Sequence, residues 1–224
     1  MHPDAAPRAR VSLTAIVENV VAAGGPDAVV DLRRDARGHG ADAVADALLS
    51  RTDVGIIADP ADVSRWGSNS PRIRGAGRGT IAPAIVFGAG ATGTPAMSLV
   101  GRVLAVKVLR VGEGVSYGYT HRAPADTRVA LVTGGYAQGI PRMLGNRAEV
   151  TIDGRRHPIV GRVAMDVCVV EIGEAAVTRG AAAVFFGDPR EGAPGMSEWA
   201  AASALTPLEL VTAVGLHTRR EHRS

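Results

Sequence analysis

Residues 103–173 decide the fold of this chain: VLAVKVLRVGEGVSYGYTHRAPADTRVALVTGGYAQGIPRMLGNRAEVTIDGRRHPIVGRVAMDVCVVEIG. Apolar and polar residues alternate around Lys107, and a second strand pattern follows at residues 128–136. Residues 147–163 predict a hairpin, because two strand-like runs flank the turn pair Asp153-Gly154. The stretch therefore predicts an all-β domain.

The chain before Met97 has a different pattern. Residues 11–25 and 40–51 have apolar residues at helical spacing, whereas residues 27–32 and 53–59 predict short buried strands. This alternation is typical of parallel strands joined by crossover helices.

Several connecting segments are less regular. Residues 67–80 and 88–95 are rich in glycine and predict loops, and the run TIAPAIVFG (80–88) between them predicts a strand interrupted by its proline. Residues 197–205 predict a short helix. The polar tail at 217–224 is expected to fray.

The quoted stretch closely resembles the C-terminal β domain of alanine racemase. Its motifs occur in the family's order and at near-identical spacing: GEGVSYG (112–118), GYAQGIPR (135–142), NRAEVTIDG (146–154) and GRVAMD (161–166). The resemblance covers about a third of the chain. Because several motifs match together, we do not attribute it to chance.

The N-terminal part resembles the start of the family's barrel. RVSLTAIVENV (10–20) is similar to its opening strand and first helix, and RRDARGHG (33–40) is similar to the segment with the lysine that binds pyridoxal phosphate (PLP). Arg33 stands at the lysine position and Arg37 at a tyrosine position. An arginine stays protonated and cannot form a Schiff base, and Lys107, the only lysine, lies mid-strand. We therefore expect no PLP and no other cofactor.

The resemblance implies two unequal parts. Residues 1–92 are expected to form a truncated (β/α)-barrel remnant, and residues 93–224 an alanine-racemase-like C-terminal β-barrel domain, because a full barrel needs roughly 200 residues or more. Ser68–Ser70 resembles the family's phosphate-contacting Asn-Ser. Ile81 or Ala82 falls where the family's arginine bonds the pyridine nitrogen.

The resemblance also supplies candidate site residues. Tyr117 corresponds to the family's catalytic tyrosine, Tyr136 to a tyrosine of the substrate entrance, and Asp166 to a residue that orients an arginine or that tyrosine. Met165 corresponds to the residue whose backbone amide contacts the substrate carboxylate. Arg122 is a nearby cation that could lower the pKa of Tyr117. Packing and turn roles remain alternatives for the side chains of Tyr117, Tyr136 and Asp166.

Two further arginines and one histidine have open roles. Arg33 and Arg37 could bind an anionic substrate group where the family binds phosphate, or they could be solvated surface residues. His39 is interpreted as a packing or capping residue. No spacing of His, Cys, Asp and Glu residues predicts a metal site.

Composition excludes several function classes. The pI is about 9.6 but the net charge is only +3, and the arginines form no dense block, so nucleic-acid binding is not predicted. Cys168 is the only cysteine, and no run approaches the ~20 apolar residues of a membrane span. A cytoplasmic protein without membrane partners is expected.

These observations lead to a functional expectation. We expect a PLP-independent isomerase, lyase or cyclase that acts on a small molecule of a biosynthetic pathway. In this enzyme a tyrosine would transfer a proton to or from the substrate. The alternatives are a non-catalytic binding or scaffold protein and, less favoured, a PLP-dependent alanine racemase. The resemblance implies a homodimer, because the β domain of one family subunit faces the barrel of the other.

Overall fold

The computed structural model describes residues 6–66 and 70–224. The structure contains short helices and strands up to residue 95, and mostly strands after it. In chain order these are β1 (Arg8–Ser12), α1 (Leu13–Ala23), β2 (Val29–Asp31), α2 (Arg33–Gly38), α3 (Ala41–Arg51), β3 (Gly55–Ile57), α4 (Pro60–Trp66), β4 (Ile73–Arg74), α5 (Pro83–Val86), β5 (Met97–Leu109), β6 (Gly114–Val115), β7 (His121–Arg122), β8 (Thr127–Thr133), β9 (Glu149–Ile152), β10 (Arg155–Val160), β11 (Val167–Glu171), β12 (Ala182–Phe186), α6 (Met196–Ser203), α7 (Pro207–His217) and β13 (Arg219–Arg223).

Six strands close into an antiparallel barrel. The order is β12-β9-β10-β11-β8-β5, and β5 closes the ring by pairing with β12 as well as with β8. Phe185 and Phe186 are fully buried, and Trp199 of α6 packs edge-on against both rings. The predicted C-terminal β-barrel domain is confirmed.

The two ends of the chain extend the same sheet. β1 pairs antiparallel with β5, and β13 pairs parallel with β1. The expectation that the polar tail frays is therefore wrong. The backbone of β13 hydrogen-bonds to the free edge of β1, and Glu221 pairs with Arg8 across the two strands. Charged side chains are tolerated there because β13 is an edge strand.

The N-terminal helices and strands form a small parallel sheet, β2-β3-β4, as the sequence predicts. Ile16 and Val20 of α1, Leu48 of α3 and Ile56 of β3 are fully buried in its core. In the described residues this parallel sheet has three strands and does not close. The prediction of a truncated barrel remnant is confirmed.

The strand predicted at residues 80–88 is wrong, because the chain there forms the short helix α5. Pro83 lies in its first turn, where the missing N–H costs nothing and the fixed φ favours a helix start. The sequence interpretation also missed α7, which begins with a capping box between Thr206 and Glu209.

No single described helix is long and apolar enough to cross a membrane. Only the pair α6 and α7 together meets the length and composition, and the two are bent by 102°. Trp199 and Leu210 from this pair are fully buried in the protein core.

Barrel closure should depend on Gly101. A Cβ there would lie 2.1 Å from the Thr133 carbonyl oxygen and 2.9 Å from the Phe185 ring. We expect Gly101→Ala to lower the unfolding free energy by about 1–3 kcal/mol, because overpacking forces the strands apart. Gly25→Ala is the control, since its Cβ meets nothing within 4 Å. Equal urea denaturation midpoints for the two variants would contradict this.

Candidate functional site

Tyr117 projects from the turn between β6 and β7. Ser116, Gly118 and Tyr119 around it have positive φ values of 59°, 83° and 44°, so the chain reverses sharply here. The Tyr117 side chain is 82% exposed. The Arg122 guanidinium lies 5.4 Å from the centre of the Tyr119 ring. Arg122, which the sequence analysis named as a cation that could lower the pKa of Tyr117, therefore contacts Tyr119.

Tyr136, Met165 and Asp166 lie together, as the motif resemblance implies. Gly135 allows this, because a Cβ there would lie 2.2 Å from the Met165 carbonyl oxygen. The Asp166 carboxylate accepts a hydrogen bond from the Gln138 amide at 3.2 Å, and the Gln138 oxygen accepts one from the Gly135 N–H. Asp166 thus holds the loop of Tyr136 through Gln138.

One continuous surface links these residues. The Arg142 guanidinium lies 5.2 Å from the centre of the Tyr136 ring, and Arg142 shares a shallow cleft of about 390 Å³ with Met143, Arg162 and Thr120. Arg162 in turn approaches Gly118, next to Tyr117. We call these residues the tyrosine surface: Tyr117, Tyr119, Tyr136, Arg142, Met143, Arg162 and Met165.

The tyrosine surface is open to solvent. Five of its large apolar side chains are exposed: Tyr117 (82%), Tyr119 (61%), Met165 (54%), Met143 (47%) and Tyr136 (39%). No tyrosine lines any of five clefts that lie among the described residues. An exposed apolar cluster with polar residues around it is typical of an interaction surface.

Arg33 and Arg37 lie elsewhere, beside the end of β2. The Arg33 guanidinium donates to both Asp31 carboxylate oxygens, at 2.9 and 2.6 Å, and Arg37 lies 3.8 Å from the same carboxylate. The side-chain hydrogen bonding between Arg33 and Asp31 holds the pKa of Asp31 below its usual value and raises the pKa of Arg33. Both arginines are therefore engaged with a carboxylate of the protein itself.

The residues at this position do not fit PLP. The group needs an amine that can lose its proton and attack an aldehyde. Arg33 offers a protonated guanidinium fixed by Asp31. Ile81 or Ala82 stands at the position of the family's pyridine-contacting arginine, and neither offers a side-chain donor. The motif at Ser68–Ser70 resembles the family's phosphate-contacting residues, and Ser68 and Asn69 of this motif lie outside the described residues.

The element α2, which follows β2, is a left-handed turn and not a right-handed helix. Residues 34–37 have φ between 51° and 60°, a conformation that costs about 1–2 kcal/mol for each residue with a Cβ. Contacts from β13 hold it: Arg220 pairs with Asp35, and the His222 ring contacts the His39 carbonyl oxygen at 2.8 Å. His39 is fully buried and stacks on Phe87, as the packing interpretation implies.

Helix α7 separates the two groups of candidates. Gly38 of the left-handed turn packs against the α7 backbone at Thr212 and Gly215, and Gly139, after Tyr136, packs against it at Ala213. The structure thus brings Tyr136, Met165 and Asp166 together and keeps Arg33 and Arg37 apart from them. Sequence analysis missed Tyr119, Arg142, Met143 and Arg162, although all lie inside the stretch that carries the resemblance.

Comparisons with known proteins place the same stretch in a family. Residues 96–222 match the family described as "Alanine racemase, C-terminal domain". The alanine racemase of Thermobifida fusca is 43% identical over 126 residues, which are 56% of this chain and 34% of the relative. That of Mycobacterium tuberculosis strain H37Rv is 44% identical over 131 residues, 58% of this chain and 34% of the relative. The chain spans about a third of the length of the sequence relatives it matches.

The N-terminal part is similar to known proteins in fold. The solved alanine racemase from a D-cycloserine-producing Streptomyces lavendulae superposes with a TM-score of 0.83 at 20% identity. This superposition spans 98% of this chain and 97% of the other, well beyond the sequence match. At this identity the similarity establishes the fold alone.

The comparisons correct the functional expectation. A PLP-independent isomerase, lyase or cyclase is wrong, because the matching relatives are alanine racemases and they match over their C-terminal domain only.

The buried His39 should make stability depend on pH. Burial lowers its pKa from 6.5 to about 4. The unfolded chain therefore takes up a proton first, so the contribution of neutral His39 is complete above pH 6.5 and is lost as the pH falls towards 4. The loss amounts to about 3 kcal/mol over that window. Urea denaturation from pH 7 to 4.5 measures it, and His39→Phe should flatten the slope.

His217→Gln is the matched control, because His217 is exposed at the end of α7. It should keep the wild-type slope. An unchanged slope in His39→Phe would assign the pH dependence to other groups.

Proposed function

Because this chain belongs to the alanine racemase family through its C-terminal domain at residues 96–222, we propose that it acts as the tyrosine-bearing half of a racemase-type site. A second polypeptide provides the other half. One observation carries this proposal: Tyr117, the counterpart of the family's catalytic tyrosine, is 82% exposed on an open surface. A partner that covers the tyrosine surface would create the missing enclosure.

The chain offers two groups to a substrate at this surface. One is the Tyr117 hydroxyl, which can hold or move a proton. The other is the backbone N–H of Met165, which makes no hydrogen bond with the described residues, while its carbonyl accepts from Ala137. A free N–H is suited to a carboxylate, because hydrogen bonds to charged acceptors are the strong ones. The relatives' name supports alanine as the substrate.

The partner must supply what the N-terminal part lacks. Arg33 cannot act as the nucleophilic amine, and Lys107 is exposed on β5, in the strand pairing with Val129. A lysine-bearing barrel from another chain would provide the amine and exclude water from Tyr117. The described part of this chain is thus proposed to contribute positioning and a hydroxyl group.

In the absence of such a partner, a second copy of the chain is proposed to cover the tyrosine surface as a homodimer. Burying its exposed tyrosines and methionines would provide the driving force. We expect light scattering to show a dimer, and the double substitution Tyr119→Ser and Met165→Ser to weaken it at least tenfold. The control is Val21→Ser, at a residue 63% exposed on α1, away from this surface. A wild-type monomer at high protein concentration would refute the homodimer.

A complementation assay tests the catalytic half of the proposal. The partner is the Thermobifida fusca alanine racemase with phenylalanine in place of its counterpart of Tyr117. We expect this chain, added in excess, to restore alanine racemisation. Tyr117→Phe should restore about 10²-fold less, the usual contribution of a general acid or base. Tyr119→Phe is the matched control. Equal restoration by Tyr117→Phe would show that this tyrosine is not the proton-transfer group.

A further inference from the structure

A second cleft lies on the side of the barrel, between β7, β9, β10 and α6. Its volume is about 490 Å³, within the range of ~300–1,000 Å³ that small-molecule sites occupy. Pro158, Ile159, Val160 and Pro194 contribute apolar walls. Asn146 and Arg147 separate it from the shallow cleft of the tyrosine surface, because they line both.

Two polar atoms at this cleft have no partner in the described part of the protein. The Trp199 side chain is fully buried, and its Nε1–H makes no hydrogen bond. The Nε2 atom of His121 is also buried and makes none. Both residues line the same cleft. Buried polar groups in folded proteins are nearly always satisfied, and of the six unpartnered buried side-chain atoms among the described residues only these two share a cleft, which makes it a candidate site for a polar ligand.

The charges around the cleft are unequally paired. Arg156 neutralises two of its three carboxylates, because its guanidinium contacts Glu198 at 2.8 and 2.9 Å and Glu149 at 3.6 Å. Glu171 has no ion-pair partner among the described residues. Neither does Arg147, which donates a hydrogen bond to the Ala202 carbonyl oxygen at 3.3 Å. One cation and one anion therefore remain available to a ligand.

We propose that this cleft binds a small zwitterion, namely an α-amino acid or a short peptide. The ligand carboxylate accepts a hydrogen bond from the Trp199 Nε1–H and pairs with Arg147. Its ammonium group pairs with Glu171 and donates to His121, whose Nε2 is then the unprotonated atom. An aliphatic side chain is covered by Ile159 and the other apolar wall residues. A ligand with a single charge would leave either Arg147 or Glu171 unpaired in the cleft.

The first test is a titration with L-leucine followed by tryptophan fluorescence. The protein has two tryptophans, so Trp66→Phe leaves the emission of Trp199 alone. We expect a saturable red shift, because Nε1 gains a hydrogen bond, and a matching isotherm by calorimetry on the wild-type chain. Glu171→Gln and Arg147→Gln should each raise the Kd about tenfold or more.

Matched controls separate a loss of ligand contact from a general charge effect. Glu174→Gln and Arg179→Gln remove exposed charges outside the cleft and should leave the Kd unchanged. Tyr117→Phe should also leave it unchanged, which separates this cleft from the tyrosine surface. Circular dichroism confirms that each variant is folded. If the Glu171 and Arg147 variants bind as tightly as the wild type, the assignment is overturned.

The ligand chemistry is tested with two analogues. N-acetyl-L-leucine lacks the ammonium charge, and L-leucinamide lacks the carboxylate. We expect each to bind at least tenfold more weakly than L-leucine. Equal binding of all three would show that the cleft recognises the side chain alone. No heat and no fluorescence change at millimolar L-leucine would exclude an amino-acid site.

Discussion

Strand β5 is the element on which both parts of the structure depend. Its first half pairs with β1 on one side and β12 on the other, and its second half pairs with β8. The barrel closes through the β12 pairing, and β1 connects the barrel to the N-terminal part. Gly101 permits the close approach of neighbouring backbone at the crossing point. The register of the β5–β8 pairing shifts between Val103 and Ala105, and an irregularity of this kind bends the strand. Thirteen residues thus hold the barrel, the N-terminus and, through β1, the C-terminal strand in one sheet.

The left-handed turn after Arg33 keeps its shape through contacts with distant parts of the chain. Residues 34–37 remain in a costly conformation because Arg220 and His222 of β13 hold the segment from outside. The lysine position, however, is filled by Arg33 and bound to Asp31. An ion pair of this kind is itself a local interaction, and it stabilises the end of β2 whether or not a ligand is present. The shape of this segment therefore follows from packing against α7 and β13, whereas the chemistry at Arg33 is set by its ion pair with Asp31.

Sequence patterns predicted the strands of the barrel because alternation reports directly on a sheet with one buried face. They failed where the outcome depends on partners distant in the chain. The polar tail was expected to fray, yet it becomes β13 because β1 offers an open edge 211 residues away in sequence (Arg8 pairs with Arg219). The proline in TIAPAIVFG was read as interrupting a strand, although it starts α5. In the site, the family motifs named Tyr136, Met165 and Asp166 as candidates, whereas the stacking of Arg122 on Tyr119 depends on the sharp turn at residues 116–119. Nothing in the local sequence of Trp199 indicates that its N–H lacks a partner.

The β domain thus carries two surfaces with opposite physical character. The tyrosine surface consists of exposed apolar rings and methionines, with Arg122 and Arg142 stacked on two of the rings, and it is suited to cover by a large partner. The cleft at Trp199 is a concave site, and its buried donor and its unpaired cation and anion are suited to a small ligand. Asn146 and Arg147 form the wall between them. Because Asn146 accepts a hydrogen bond from the Gly161 N–H and donates one to the Thr120 hydroxyl, this wall is fixed on both sides and the two surfaces stay distinct.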